Sequence, residues 1–362
     1  FLQSQAHLYW MVKNHYPDLY ARIRDAVRSG QWVIEGGMWV EADTNISGGE
    51  SLIRQFMHGK RFFQDEFGVE CHMLWLPDVF GYSGNMPQIM RGCGIEYFAT
   101  AKIFWNYNGG ETFPHNTFTW EGIDGSTVLV HLMNDYNSRT DPATAIERWS
   151  QRVQKDGIAT RLVPFGWGDG GGGPTRDHLE YLRRLKNLEG APKCEIATPI
   201  DYFRDQEARG VPDVRYVGEL YFQAHRGTYT SQARTKRGNR KSELALRDAE
   251  MWGVAAQMLR GYAYPMERMD EAWKRVLLNQ FHDIIPGSSI HRVYEEAEAS
   301  YAQAIKSAQA TLHEATTALV QGVAREQSQE VGAQGGAKQQ LVASDQGGAL
   351  AVFNWLNWER VA

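Results

Sequence analysis

Cysteine is scarce in this sequence, with three in 362 residues, at Cys71, Cys93 and Cys194. An odd number without CxxC spacing excludes a disulfide-stapled scaffold and a cysteine zinc knuckle, and it favours a reducing, cytoplasmic compartment. Surplus charge is lacking too. Lys and Arg total 38 against 43 Asp and Glu, a net charge of −5, so nothing electrostatic points to nucleic acid or to a membrane surface. The one basic cluster, Lys236, Arg237, Arg240 and Lys241, reads as the solvated start of a helix. No apolar run approaches the length of a transmembrane helix.

Aromatics, by contrast, are plentiful: 12 Trp and 16 Tyr supply flat amphipathic rings that suit sugar faces, although most of them belong to a core. A chain of this length calls for two domains or more. Its first half alternates helical and strand patterns, as an α/β fold does. Ser4 is placed to cap a first helix, and Leu19, Ile23, Ala26 and Val27 repeat at helical spacing until Gly30. Short strands are expected at Trp32–Glu35, His72–Leu76, Glu96–Ala99, Thr127–Leu132, Leu162–Phe165 and Val214–Phe222. The Gly- and Asn-rich stretch 106–110 reads as irregular loop. Ser47-Gly-Gly-Glu50 fits a capping box for a helix through Leu52, Phe56 and Phe63. Helices are also expected at Ala145–Gln154, at Arg176–Leu185 and after Thr198-Pro199. From Ser242 onward three long helical patterns indicate a bundle. Residues 326–348 have the composition of a mobile linker.

Two acids stand at the ends of expected strands. Asp78 follows the apolar run His72–Leu76, where Pro77 stops the ladder, and the carboxyl ends of strands are where α/β sheets and barrels bind ligands. Asp169 lies in GWGDGGGGPT after Leu162–Phe165. That glycine run admits three explanations: a phosphate cradle ahead of a helix, a flexible loop, or a backbone folded tightly around Asp169 so that its carboxyl projects into a cleft. The absence of a GxxxxGK[ST] lysine counts against the first, and the strand before Asp169 favours the third. Trp39, Glu41 and Asp43 line another strand-end loop. His282 sits at a helix end just before Ile284-Ile285-Pro286-Gly287, where an isolated histidine is more often structural than functional.

Four segments, WLPDVFGYSGNMPQI, EADTNISGGESLIRQ, GWGDGGGGPT and NQFHDIIPGSSI, resemble those of glycoside hydrolase family 38, the retaining, metal-dependent α-mannosidases. The similarity runs in order from about Phe1 to Ser300. It implies an incomplete (β/α) barrel catalytic domain over 1–225, a three-helix bundle over 226–325, a linker at 326–348, and the start of a β-sandwich at 349–362. The implied activity is retaining hydrolysis of terminal α-linked mannose from oligosaccharides, with self-association into a homo-oligomer left open. The resemblance makes Asp78 nucleophile and metal ligand, Asp169 acid/base, His282 metal ligand, and Phe80 and Asp283 substrate contacts. One divalent ion, zinc for choice, is the implied cofactor. No His-x-Asp occurs in this chain. The family carries its other two ligands in that motif on the first barrel strand, so half of the metal site and one strand are expected to be absent. The rival readings are a metal-dependent carbohydrate deacetylase and a sugar-binding relative without turnover.

Overall fold

The structure is a computed structural model that describes residues 1–105, 112–155, 158–330, 342–343 and 349–350. The chain opens with β1 (Leu2–Gln3), α1 (Ala6–His15), α2 (Pro17–Arg28) and β2 (Val33–Ile34). β1 and β2 pair in parallel. α3 (Gly49–Phe67), β3 (Met73–Trp75), α4 (Met86–Gly92) and β4 (Tyr97–Thr100) repeat the alternation, followed by β5 (Thr117–Glu121) and β6 (Thr127–Leu132). Next come α5 (Pro142–Ser150), α6 (Arg176–Leu185), α7 (Pro199–Arg209) and β7 (Arg215–Val217). The main sheet has the order β3-β4-β6-β5-β7, and a parallel bridge from Gly36 to Leu74 continues the β2 line towards it.

β3, β4 and β6 run parallel and are apolar on both faces because helices or loops cover both. Met73, Tyr97, Ala99, Leu129, Met133 and Phe203 form one buried cluster, in which the Tyr97 and Phe203 rings stack at 4.8 Å. The sheet departs from a strictly repeating parallel barrel at β5, which is antiparallel to β6. Thr117–Glu121 alternates polar and apolar, and its inward Phe118 and Trp120 are fully buried. Burying each such ring is worth roughly 2–3 kcal/mol. α3 lies so close to the loop after β2 that a Cβ on Gly59 would stand 2.3 Å from the Gly37 carbonyl oxygen, which only glycine permits.

Several expectations need correction. α1 starts after Gln5 without a side-chain cap, because the Ser4 hydroxyl donates instead to Glu41 Oε1 at 2.5 Å. The capping box at Ser47 does not form: α3 begins after Gly48, and the carboxylate of Glu243 takes its first donors. Leu162–Phe165 is not a strand, since only Phe165 makes a bridge, to Ser138. The Val214–Phe222 strand shortens to Arg215–Val217, with Leu220 bridging separately to Tyr82. The irregular loop at 106–110 lies outside the described residues.

The second half is helical, with α8 (Ala233–Arg260), α9 (Met266–Leu278) and α10 (His291–Glu330). The basic cluster opens α8 as expected. Its Lys236 is not simply solvated, however, because its ammonium donates to the Ile285 carbonyl at 2.8 Å. Since α10 reaches Glu330, the first five residues of the expected linker are helix; most of the remainder, and 351–362, lie outside the described residues. Residues 342–343 (β8) and 349–350 (β9) pair antiparallel. The chain divides into two compact units, one of Phe1–Glu243 with Trp273–Ala302, the other of Leu244–Ala272 with Gln303–Ala362. Within the second, Ala256, Ala315 and Leu319 pack together, and Arg268 pairs with Glu314 at 3.0 Å. Among the described residues no helix is long and apolar enough to cross a membrane.

Candidate active site

Asp78 stands in the loop that leaves β3, as its sequence position suggests. Its two oxygens are held differently. Oδ1 takes a short hydrogen bond from the Lys102 ammonium, and Oδ2 lies 3.6 Å from His282 Nε2. Lys102 is only 3 % exposed, and its ammonium rests 3.6 Å above the Trp105 ring in a cation–π contact. Burial opposes ionisation of Asp78, but the hydrogen bonds and charges of His282 and Lys102 outweigh it and hold the carboxyl below its usual range.

His282 reaches this point from the turn after α9. An antiparallel bridge between Ala42 and Phe281, with Asp43 N donating to the Gln280 carbonyl at 2.9 Å, joins that turn to the loop after β2. The Nδ1 of His282 lies 2.9 Å from the Glu41 carbonyl oxygen, so Nδ1–H donates there and Nε2 faces Asp78. Burial disfavours a charge on this imidazole. Asp78, Glu41 and Asp283 nevertheless raise its affinity for a proton above the ordinary value. Asp283 lies alongside, with its Oδ2 3.8 Å from the same Nε2. Asp78, His282 and Asp283 thus form one group, each offering a ligand atom within 4.8 Å of the others, and two carboxylates with an imidazole are a donor set suited to a divalent ion.

A buried polar network fixes that turn. Gln280 donates to Asn239 Oδ1 at 2.9 Å, and Gln55 donates to the Leu277 carbonyl at 2.9 Å. Glu243, 7 % exposed, accepts from Gly48 N and Ser51 Oγ, each at 2.8 Å, and from Asn239 Nδ2 at 3.1 Å. Its carboxylate therefore holds the residue from which α3 starts and ties that helix to the one carrying Asn239. Replacing Glu243 with Leu leaves these donors buried without an acceptor, at about 1–3 kcal/mol for each group stranded. We expect Glu243→Leu to lower the thermal midpoint by ten degrees or more, at about 4 °C per kcal/mol or less for a chain this large; a midpoint within two degrees of wild type would contradict the account.

The glycine run folds tightly around Asp169, as the backbone part of the third sequence explanation has it, while the side chain itself lies exposed rather than enclosed. Trp167 N donates to the Gly173 carbonyl at 2.9 Å and Gly173 N returns the bond at 2.8 Å, closing a narrow hairpin. Asp169 sits in it with φ of 50°, a left-handed conformation that aspartate tolerates better than most residues. The cradle reading loses its donors: Thr175 and His178 form a capping box at the start of α6. Asp169 is exposed, and Tyr136 OH approaches its two carboxyl oxygens at 3.4 and 3.3 Å. Burial, the charges of Asp78 and Asp169, and the hydrogen bond to Asp169 raise the Tyr136 phenol well above its usual range. Tyr136 therefore bonds Asp169 and feels the charge of Asp78.

Phe80, 4 % exposed, lies 6.0 Å edge-on from the His282 ring and 4.7 Å from that of His225. Glu41 and Asp43 are less available. Burial raises both carboxyls, and Asp43 Oδ1 is occupied by the backbone N–H groups of Asn45 and Ile46. Sequence reasoning missed Lys102 and Tyr136. Lys102 comes two residues after β4, so the strand-end rule that singled out Asp78 would have found it. Tyr136 follows β6 by four residues in a turn whose direction no local pattern gives.

Comparison with known proteins adds to this geometry. Residues 1–227 match the Glycosyl hydrolases family 38 N-terminal domain, and residues 223–319 match the Alpha mannosidase middle domain. Alpha-mannosidase G of Dictyostelium discoideum is 47% identical over 82% of this chain and 27% of its own length. Alpha-mannosidase 2C1 of Homo sapiens is 39% identical over 100% of this chain and 33% of its own. The chain thus spans about a third of the length of the curated relatives it matches. An α-mannosidase structure from Enterococcus faecalis V583 shares the fold with a TM-score of 0.76 at 22% identity, over 89% of this chain and 38% of that one.

Proposed function

Because the chain belongs to glycosyl hydrolase family 38, we propose that it hydrolyses terminal α-linked mannose from oligosaccharides with retention of configuration. The observation that carries this reading is the convergence of Asp78, from the loop after β3, with His282 and Asp283, from the turn after α9. In this reading the paired strands and the main sheet are arcs of a (β/α) barrel over 1–225. The helices of 226–325 form the middle domain. Three free cysteines support a cytoplasmic setting.

Asp78 attacks the anomeric carbon. Its ionised state, kept by Lys102 and His282, is the state a nucleophile needs. As the new C–O bond forms, the bond to the leaving oxygen breaks and Asp169 gives that oxygen its proton. In the second step Asp169 takes a proton from water, whose oxygen displaces the Asp78 carboxylate from carbon and restores the enzyme. Asp78, His282 and Asp283 would hold the divalent ion, zinc in our reading, with Asp283 also meeting substrate hydroxyls and Phe80 offering an apolar face to the ring. Such an ion supplies Lewis-acid pull on the sugar hydroxyls.

Incubation of the purified full-length protein with an aryl α-mannoside tests the proposal. Hydrolysis is expected in the presence of a divalent ion, with loss on chelation and recovery on adding zinc, and α-mannose is the expected first product by proton NMR. β-Mannose as first product, or activity indifferent to chelators, would overturn it.

A further inference from the structure

Tyr136 reaches Asp169 only if the loop that carries it is held, and the structure shows what holds it. Asp135 Oδ1 accepts from the backbone N–H groups of Tyr136 and Asn137 at 2.7 and 3.1 Å. Its Oδ2 pairs with Arg148 NH2 at 2.9 Å. The same guanidinium donates through Nε to Ser138 Oγ at 3.1 Å and through NH1 to Gln151 Oε1 at 2.9 Å. One planar group on α5 therefore grips both ends of the turn 135–138, which a lysine ammonium on a flexible stem does not do. Ser138 is in turn stitched to the strand-like approach to the glycine loop. Its N–H donates to the Pro164 carbonyl, and Gly166 N donates to the Ser138 carbonyl, both at 3.3 Å. The ring of Tyr136 is stacked with Trp105 at 6.0 Å and 12°, and a Cβ on Gly168 would stand 3.4 Å from its edge.

We propose that Arg148 is a positioning residue: through Asp135 and Ser138 it fixes the Tyr136 loop against the Asp169 loop, and so sets the aim of the proton donor. An exposed ion pair would carry no such argument, since its worth is small. Here the two side chains are only 20 % and 22 % exposed, and the grip is threefold. Neither Arg148 nor Asp135 touches the reacting atoms. Their influence passes through Tyr136, whose phenol bonds Asp169.

The inference rests on the reading of Asp169 as proton donor, and it makes a prediction that a purely structural staple does not. Displaced aim should matter when the leaving group needs a proton and hardly at all when it does not. Arg148→Ala is expected to lower kcat/KM about 30-fold or more on mannobiose but about threefold or less on a dinitrophenyl α-mannoside, a split consistent with the ~100-fold cost of small misplacements. Arg148→Lys, which keeps the charge and folds without a buried vacancy, should show the same split at smaller size. Arg148→Ala combined with Tyr136→Phe should be no worse than the worse single change, because the two act as a unit. Equal fractional losses on both substrates, or a fully additive double variant, would overturn the inference. A wild-type protein that cleaves neither substrate would sink the mannosidase reading instead, so the two failures are distinguishable.

Discussion

Asp78→Asn is expected to reduce turnover of every α-mannoside by at least about a thousandfold, with a thermal midpoint close to wild type. The amide lacks the charge that attacks the anomeric carbon, and losing covalent catalysis costs several orders of magnitude. The fold should survive because the change is isosteric and the amide oxygen still accepts from Lys102, whose buried charge would otherwise be stranded. Truncation to alanine would confuse the two effects. Activity within tenfold of wild type would rule Asp78 out as nucleophile.

Asp169→Ala should separate substrates by leaving group. A sugar leaving group departs only with a proton, whereas an activated phenolate leaves unaided, so the loss should be about a thousandfold on mannobiose and tenfold or less on a dinitrophenyl mannoside. Kinetics on the two substrates decides it. Equal losses would move the acid/base role elsewhere, and the choice is then narrow. Asp43 is 1 % exposed and hydrogen-bonded to its own turn, while Glu41 is engaged by Ser4. Asp169 faces solvent on a hairpin, where a glycosidic oxygen can reach it.

What was legible in the sequence depended on whether the controlling contact was local. The loop around Asp78 was readable because β3, Pro77 and the turn formers are adjacent in the chain, and the helices after Thr175 and Thr198 were readable because their starts are set by neighbours three residues apart. The helices of the second half were plain from their spacing. Ser47 misled because the donors at the start of α3 are taken by Glu243, 195 residues away from Gly48, and no local pattern encodes that. Ser4 misled for the same reason, its hydroxyl being drawn to Glu41. β5 is a different case. Thr117–Glu121 alternates with period two, and Gly122 and Gly125 mark the turn into β6, so the hairpin rule would have found it. Its antiparallel pairing displaces the simple repeat that a βα alternation suggests. Asp169 was found for a partly mistaken reason: no strand precedes it, and the glycines alone shape its loop. The partnership of Asp78 with His282 came from the family resemblance. The composition of either segment does not show it, because it depends on the bridge between Ala42 and Phe281.

The central claim is that Asp78 forms a covalent bond to the sugar. A mannosyl fluoride carrying a second fluorine on the ring slows breakdown of such an intermediate, so the enzyme should inactivate with time in a metal-dependent way. Peptide mass spectrometry should then find one mannosyl group on the peptide carrying Asp78, with the label lost in Asp78→Asn. Turnover of α-mannosides with no adduct, as a deacetylase-like activated water would give, or an adduct on any other carboxylate, would contradict the account.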